Sequence, residues 1–275
     1  SVLNNGAGGP ESLHVESPCG YLEYRPAIAY DFMGAVDGHH VFVDPRTTAG
    51  GTFYYVRKIA INDTLSFASG TTAVGRLNLP PSDIAVHPSG ILISVSREKG
   101  KMEILDLKNA PVPQDDAPLA TPVLGIGDRE GLIDNPVALA VTGKGDILIL
   151  EQGNSRVSAF DATGAVRSIF GPEGGKINSF PLSQEFADRQ LLDIDVESTG
   201  LVFVLSYRSG GKSREDYFVE IYGVDGTLID TVEGVAAARM AVDHFRNIFT
   251  LNYEYTEGPR KTYEPTISLW NPIPQ

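Results

Sequence analysis

Four side chains can be brought together by chain register although they lie far apart in sequence: Asp83, Asp193, Asp195 and Arg239. Asp83, Asp193 and Arg239 each stand immediately before a short apolar triplet, "IAV" at 84, "IDV" at 194 and "MAV" at 240. Asp195 is the middle residue of its own triplet, where the equivalent positions are Ala29, Ala85, Ala140 and Ala241. Two carboxylates and a guanidinium in one register can grip a polar ligand. Asp83 and Asp193, as hard oxygen donors, suit Ca²⁺ or Mg²⁺ better than a soft metal. The structural alternative is an internal ion pair, with Arg239 as the partner of Asp193, because an unpaired buried charge is costly. The same two aspartates fit, in principle, the acid and base or nucleophile of a glycoside hydrolase.

Other chemistry has less support. No nucleophile elbow, phosphate-binding loop or dinucleotide fingerprint is present. A zinc site needs three converging ligands, and His14, His39, His40, His87 and His244 show no HxH or HExxH spacing. They read as turn and surface histidines. The single cysteine, Cys19, excludes an intramolecular disulfide and a CxxC site. The only tryptophan, Trp270, falls on a third strand, away from any sugar platform at the aspartates. Tyr54, Tyr55, Tyr253, Tyr255 and Tyr263 offer a second contact face, which alternation on edge strands explains equally well.

The elements that must position these residues follow from a repeat. The triplets begin at Ile28, Ile84, Leu139, Ile194 and Met240, at intervals of 56, 55, 55 and 46 residues. A glycine follows the triplet's last residue by four positions in three copies ("VHPSG", "VTGKG", "VESTG"), and Arg246-Asn247 takes that turn in the fifth. Next comes a β-rich run: "HVFV", "ILISV", "DILIL", "LVFVL" and "NIFTL". A third run follows in each copy: "TFYYVRKIAI", "KMEILDL", "RVSAF", "DYFVEIYGV" and "TISLW". A fourth is suggested by "TPVLGIG" at 121, "AVRSIFG" at 165 and "TLIDTV" at 227. Four short antiparallel strands at this period predict an all-β chain, a single β-propeller over 11–275, with five blades favoured and six the alternative. Closure of such a ring is assigned to the N-terminal segment, "SLHVE" at 12 or "YLEY" at 21 pairing beside "TISLW", after a glycine-rich flexible tail over 1–10. In this register the aspartates sit at the mouth where each first strand begins. The long connections 107–121 and 171–190 overhang the same mouth, and loops of that length are often functional.

The stretch "EQGNSRVSAFDATGAV" at 151–166 resembles an NHL-type repeat, through Asn154, Arg156, Phe160, Asp161 and Gly164. The match is partial in the second unit and weak elsewhere. The resemblance implies the propeller fold; it does not choose among the binding modules, lyases and hydrolases that share it.

Composition narrows the partners. The chain has 275 residues, 42% hydrophobic, enough for a buried core. With 22 Lys and Arg against 35 Asp and Glu, the net charge of −13 repels polyanions, which argues against nucleic acid. No run reaches the roughly 18 apolar residues of a membrane span. A start at Ser1 points to a processed, exported chain, extracellular or periplasmic; Asn62-Asp63-Thr64 is a glycosylation sequon. The expected function is therefore that of an acidic, monomeric, non-catalytic binding or scaffold module presenting a propeller face to a protein or carbohydrate. The alternative is a lyase or glycoside hydrolase at the channel mouth.

Overall fold

The computed structural model describes residues 30–31, 39–60, 72–172, 175–211, 213–256 and 262–270. The proposed tail and the closing segment lie outside them. The protein is all-β, of β-propeller type, its antiparallel sheets following one another along the chain. Contacts divide it into two compact units, residues 1–126 and 127–275.

The first unit carries two blades. One comprises β1 (Tyr30–Asp31), β2 (His39–Thr48), β3 (Gly51–Ala60) and β4 (Gly75–Leu77). The other comprises β5 (Asp83–His87), β6 (Ile91–Ser96), β7 (Lys101–Asp106) and β8 (Thr121–Pro122). Alternate residues of each face meet in a shared core of Val41, Val43, Val56, Ile84, Leu92 and Leu105. Gly75 admits that approach, since a Cβ there would stand 2.4 Å from Leu105. The connection 107–121 is largely built onto this unit: Val112–Pro113 pairs with Thr72–Ala73, and Ala117 packs on Tyr55 and Ala73. Tyr55 is thereby buried, and Tyr54 packs against the shared core, which leaves strand alternation as the account of these two tyrosines. The side chains of Tyr253, Tyr255 and Tyr263 fall outside the described set.

The second unit carries three sheets. The third blade is β9 (Pro136–Val141), β10 (Ile147–Glu151), β11 (Arg156–Phe160) and β12 (Ser179–Pro181). The fourth is β13 (Arg189–Val196), β14 (Val202–Arg208), β15 (Tyr217–Tyr222) and β16 (Leu228–Glu233). The fifth has three described strands, β17 (Arg239–Val242), β18 (Ile248–Thr256) and β19 (Thr262–Trp270).

The middle blade shows why its second strand reads as an unbroken apolar run. Val202 and Val204 face the third blade, among Ala138, Leu148 and Phe180, while Phe203 and Leu205 face the fifth, among Met240, Ile248 and Trp270. Burial on both faces removes the polar half of the alternation. Each such side chain, fully withdrawn from water, contributes about 1.5–3 kcal/mol. One strand assignment fails. "AVRSIFG" makes only single bridges, Phe160 to Val166 and Phe170 to Ile177, and the outer strand is Ser179–Pro181 instead. The connection 171–190 is thus partly strand, and Phe170 turns inward to meet Phe180 edge-on at 4.8 Å.

Candidate functional site

Asp193 and Asp195 lie on β13, just past a register shift between Leu191 and Asp193. The shift sets both carboxylates toward the first strand of the next blade. Asp193 Oδ2 accepts the Met240 N–H at 2.8 Å, and Asp195 Oδ2 accepts the Val242 N–H at 2.6 Å. Two side chains thus replace part of a backbone ladder between β13 and β17. Arg239 Nη1 donates to Asp193 Oδ1 at 2.9 Å, and the Ile194 N–H reaches the same oxygen at 3.0 Å. Burial pushes the Asp193 carboxyl up from the ordinary range, opposed by Arg239 and by the Met240 and Ile194 N–H groups.

The structure therefore joins Asp193, Asp195 and Arg239 in one cluster. Asp83 opens β5 in the first unit, half-buried, opposite Val95. Among the described residues no group of three or more His, Cys, Asp or Glu is placed to hold a metal ion. Asp193 is also poorly disposed toward a cation, since Oδ1 takes two N–H donors and Oδ2 one, with a guanidinium alongside.

Of the remaining candidates, the side chains of His14, His39 and His40 lie outside the described residues. His87 is buried at the end of β5, its Nδ1 accepting the Ser89 N–H of the following turn at 3.0 Å. His244 is exposed, its ring 3.7 Å from that of Phe245. Trp270 donates to Thr250 Oγ1 at 3.2 Å beneath the Arg214 guanidinium, 4.8 Å from its ring.

Three further polar networks lie outside the triplet register. Gln152 bridges the third and fourth blades as the aspartates bridge the fourth and fifth: Nε2 donates to Arg189 O at 3.1 Å, and Oε1 accepts the Leu191 N–H at 2.7 Å. Glu151, wholly buried, accepts from Asn154 Nδ2, Arg156 Nε, Ser158 Oγ and the Asp134 N–H at 2.5–2.9 Å. The Asn154 and Arg156 of the NHL-like stretch are thus its clamp. Arg189 and Glu220 form an ion pair inside the fourth blade. Its sequence signal was available: a glutamate in the middle of "YFVEIY" must find a partner.

No protein-family model matches the chain. It is 25% identical over 174 residues to the human E3 ubiquitin-protein ligase TRIM32, a match covering 62% of this chain and 24% of that protein. The chain thus spans about a quarter of the length of that curated relative. Among solved structures, it is similar to a protein from Lactobacillus plantarum, with a TM-score of 0.49, 12% identity, and coverage of 84% of this chain and 68% of that one. It is also similar to virginiamycin B lyase from Staphylococcus aureus, with a TM-score of 0.42, 9% identity, and coverage of 90% and 75%.

Proposed function

We propose that this chain is an exported, non-catalytic binding module of NHL-like propeller type, monomeric, presenting the mouth around Asp193, Asp195 and Arg239 to a protein or carbohydrate ligand. Asp83 is assigned to the corresponding mouth position of the second blade. The observation that carries the reading is the engagement of Asp193 and Asp195 by backbone N–H groups of the adjacent strand. A carboxylate committed to bracing a neighbouring blade is poorly placed to shuttle protons or attack a substrate, whereas a rigid mouth is what a binding surface needs.

Thermal melts of the parent and Asp193→Ala, with and without Ca²⁺, together with a turnover screen of glycosides and uronates, test this. Asp193→Ala is expected to lose about 1–3 kcal/mol whether or not Ca²⁺ is added, because Arg239 and the Met240 N–H lose their acceptor. A Ca²⁺-dependent rise in melting temperature that Asp193→Ala abolishes would instead assign a cation to the site. Turnover lost in Asp193→Asn would replace the binding reading with an enzymatic one.

A further inference from the structure

We propose that the loop 182–188, which leads into β13, is a pre-organised recognition loop for a basic segment of a protein partner; this rests on the binding-module reading above and names its partner class. Ser183 has its N–H, carbonyl and hydroxyl all held. The Ser183 N–H donates to Tyr222 Oη at 2.8 Å, and its carbonyl accepts from Arg189 Nη2. Its hydroxyl accepts the Glu185 N–H at 3.2 Å, capping the short 3-10 turn Gln184–Phe186. The two anchors are themselves tied down: Arg189 Nη1 donates to Glu220, and the Tyr222 ring packs 5.0 Å from that of Phe180. Arg189, Tyr222 and Glu220 are 3%, 1% and 0% exposed.

A buried ion pair is a poor source of net stability, since desolvation offsets its Coulomb attraction. The next inter-blade connection shows that none is needed to fix such a loop. Residues 234–238 are held by burial of Val235 and Ala237, with the exposed Arg214 touching Gly234 O from outside. What the charged network adds at 182–188 is fixed orientation of a short segment, which removes ordering entropy from a later association.

The segment so fixed displays a defined chemistry. Gln184, Glu185, Ala187 and Asp188 are exposed. Phe186 is half-buried, its ring 4.2 Å from that of Phe218, with the Arg208 guanidinium 5.2 Å from its centre. Two carboxylates flank a partly exposed aromatic ring, on a chain of net charge −13. That combination favours a lysine- or arginine-bearing segment with an adjacent apolar side chain, and repels acidic or phosphorylated ones.

The test uses a library of random dodecapeptides panned against the full chain, with the best retained peptide measured against variants. Retained peptides should be enriched in Lys and Arg next to an apolar residue. Glu185→Gln/Asp188→Asn should weaken binding roughly tenfold or more, and Phe186→Ala should weaken it as well. The charge-matched control Asp115→Asn/Asp116→Asn, in an exposed turn of the first unit, should change it less than about twofold. Tyr222→Phe, which frees the Ser183 N–H and removes the Tyr222–Glu220 hydrogen bond but keeps the Arg189–Glu220 pair, should speed amide exchange in the loop and weaken binding. Equal losses in the loop variant and the control would reduce the effect to overall charge and overturn the proposal. So would the absence of Lys and Arg enrichment, or wild-type affinity in Tyr222→Phe. Peptides that bind independently of the loop would sink this proposal and leave the binding-module reading standing, whereas turnover in the glycoside screen would remove that reading itself.

Discussion

Glu151 shows what a single buried carboxylate does in this fold. Its donors come from β11, from the turn after β10 and from the segment leading into β9, and Arg156 carries the tie onward to Asp128 O and Leu132 O. Glu151→Ala would strip the half-buried Arg156 guanidinium of its counter-charge and orphan Ser158 and the Asp134 N–H, leaving Asn154 only its bond to Gly127 O. The expected loss is about 3 kcal/mol, the low end of the scale for breaking one side of a buried pair because Arg156 keeps some contact with water; Asn154→Ala, which removes one donor to Glu151 and a bond to Gly127 O, should cost about 1–2 kcal/mol. Urea melts of the two variants check the ranking, and near-equal values would mean that the clamp is not centred on the carboxylate. The pattern Asn154, Arg156 was legible in the sequence as a motif. Its role was not, because the acceptor lies one strand earlier and only the hairpin between β10 and β11 brings them together. Asp193 and Arg239 were legible as partners because they share a register. The use of Asp195 as a backbone acceptor was not, since nothing in one sequence marks the neighbouring N–H as in need of a partner.

At the scale of the element, the turn after each first strand was legible because glycine marks it. Gly90, Gly145 and Gly200 all take positive φ, at 87°, 85° and 98°, and the same position in the fifth blade is Arg246 at 68°. Asp243 makes that turn possible without glycine, accepting the N–H groups of Phe245 and Asn247 at 2.8 and 2.9 Å and the Asn247 amide at 2.8 Å. A left-handed conformation costs a non-glycine residue about 1–2 kcal/mol, and part of that returns as the extra chain entropy a glycine must lose. Arg246→Gly is therefore expected to stabilise the protein by about 0.5 kcal/mol, read from the midpoint of denaturant unfolding. A destabilised variant would show that the arginine side chain contributes more than its backbone strain. The outer strands were harder to read than the turns. Thr121–Pro122 and Ser179–Pro181 are only two and three residues long, too short for alternation to register. In the third blade the apolar pattern of 165–170 belongs instead to Phe170 entering the core.

For the molecule as a whole, the acids fall into two groups whose titrations oppose each other. Burial raises Glu103 on β7, outweighing the amide and N–H of Asn78 that hold it, and burial likewise raises Asp193 and Glu220 against their arginine partners. In the turns the balance reverses. The Thr227 hydroxyl and N–H lower Asp225, and at Asp161 the Thr163 and Ala165 donors outweigh a burial effect of opposite sign. A group with a raised folded pKa binds its proton before the unfolded chain does, so its stabilising contribution is complete at low pH and is lost as pH rises through the folded value. A group with a lowered folded pKa contributes above the unfolded value and loses that contribution as pH falls through the folded one. Going down from neutrality, the three buried acids should therefore strengthen the fold first, helped by the shrinking net charge of −13. Below the ordinary carboxylate range the turn acids should weaken it. Thermal melts from pH 8 to pH 3 are expected to peak on the acid side of neutrality, at about pH 5, and Glu103→Gln should flatten the rise between neutrality and that peak. A melting temperature that falls steadily from pH 8 downward would mean that the buried carboxylates are fully ionised at no net cost, and the opposition between core and turns would not hold.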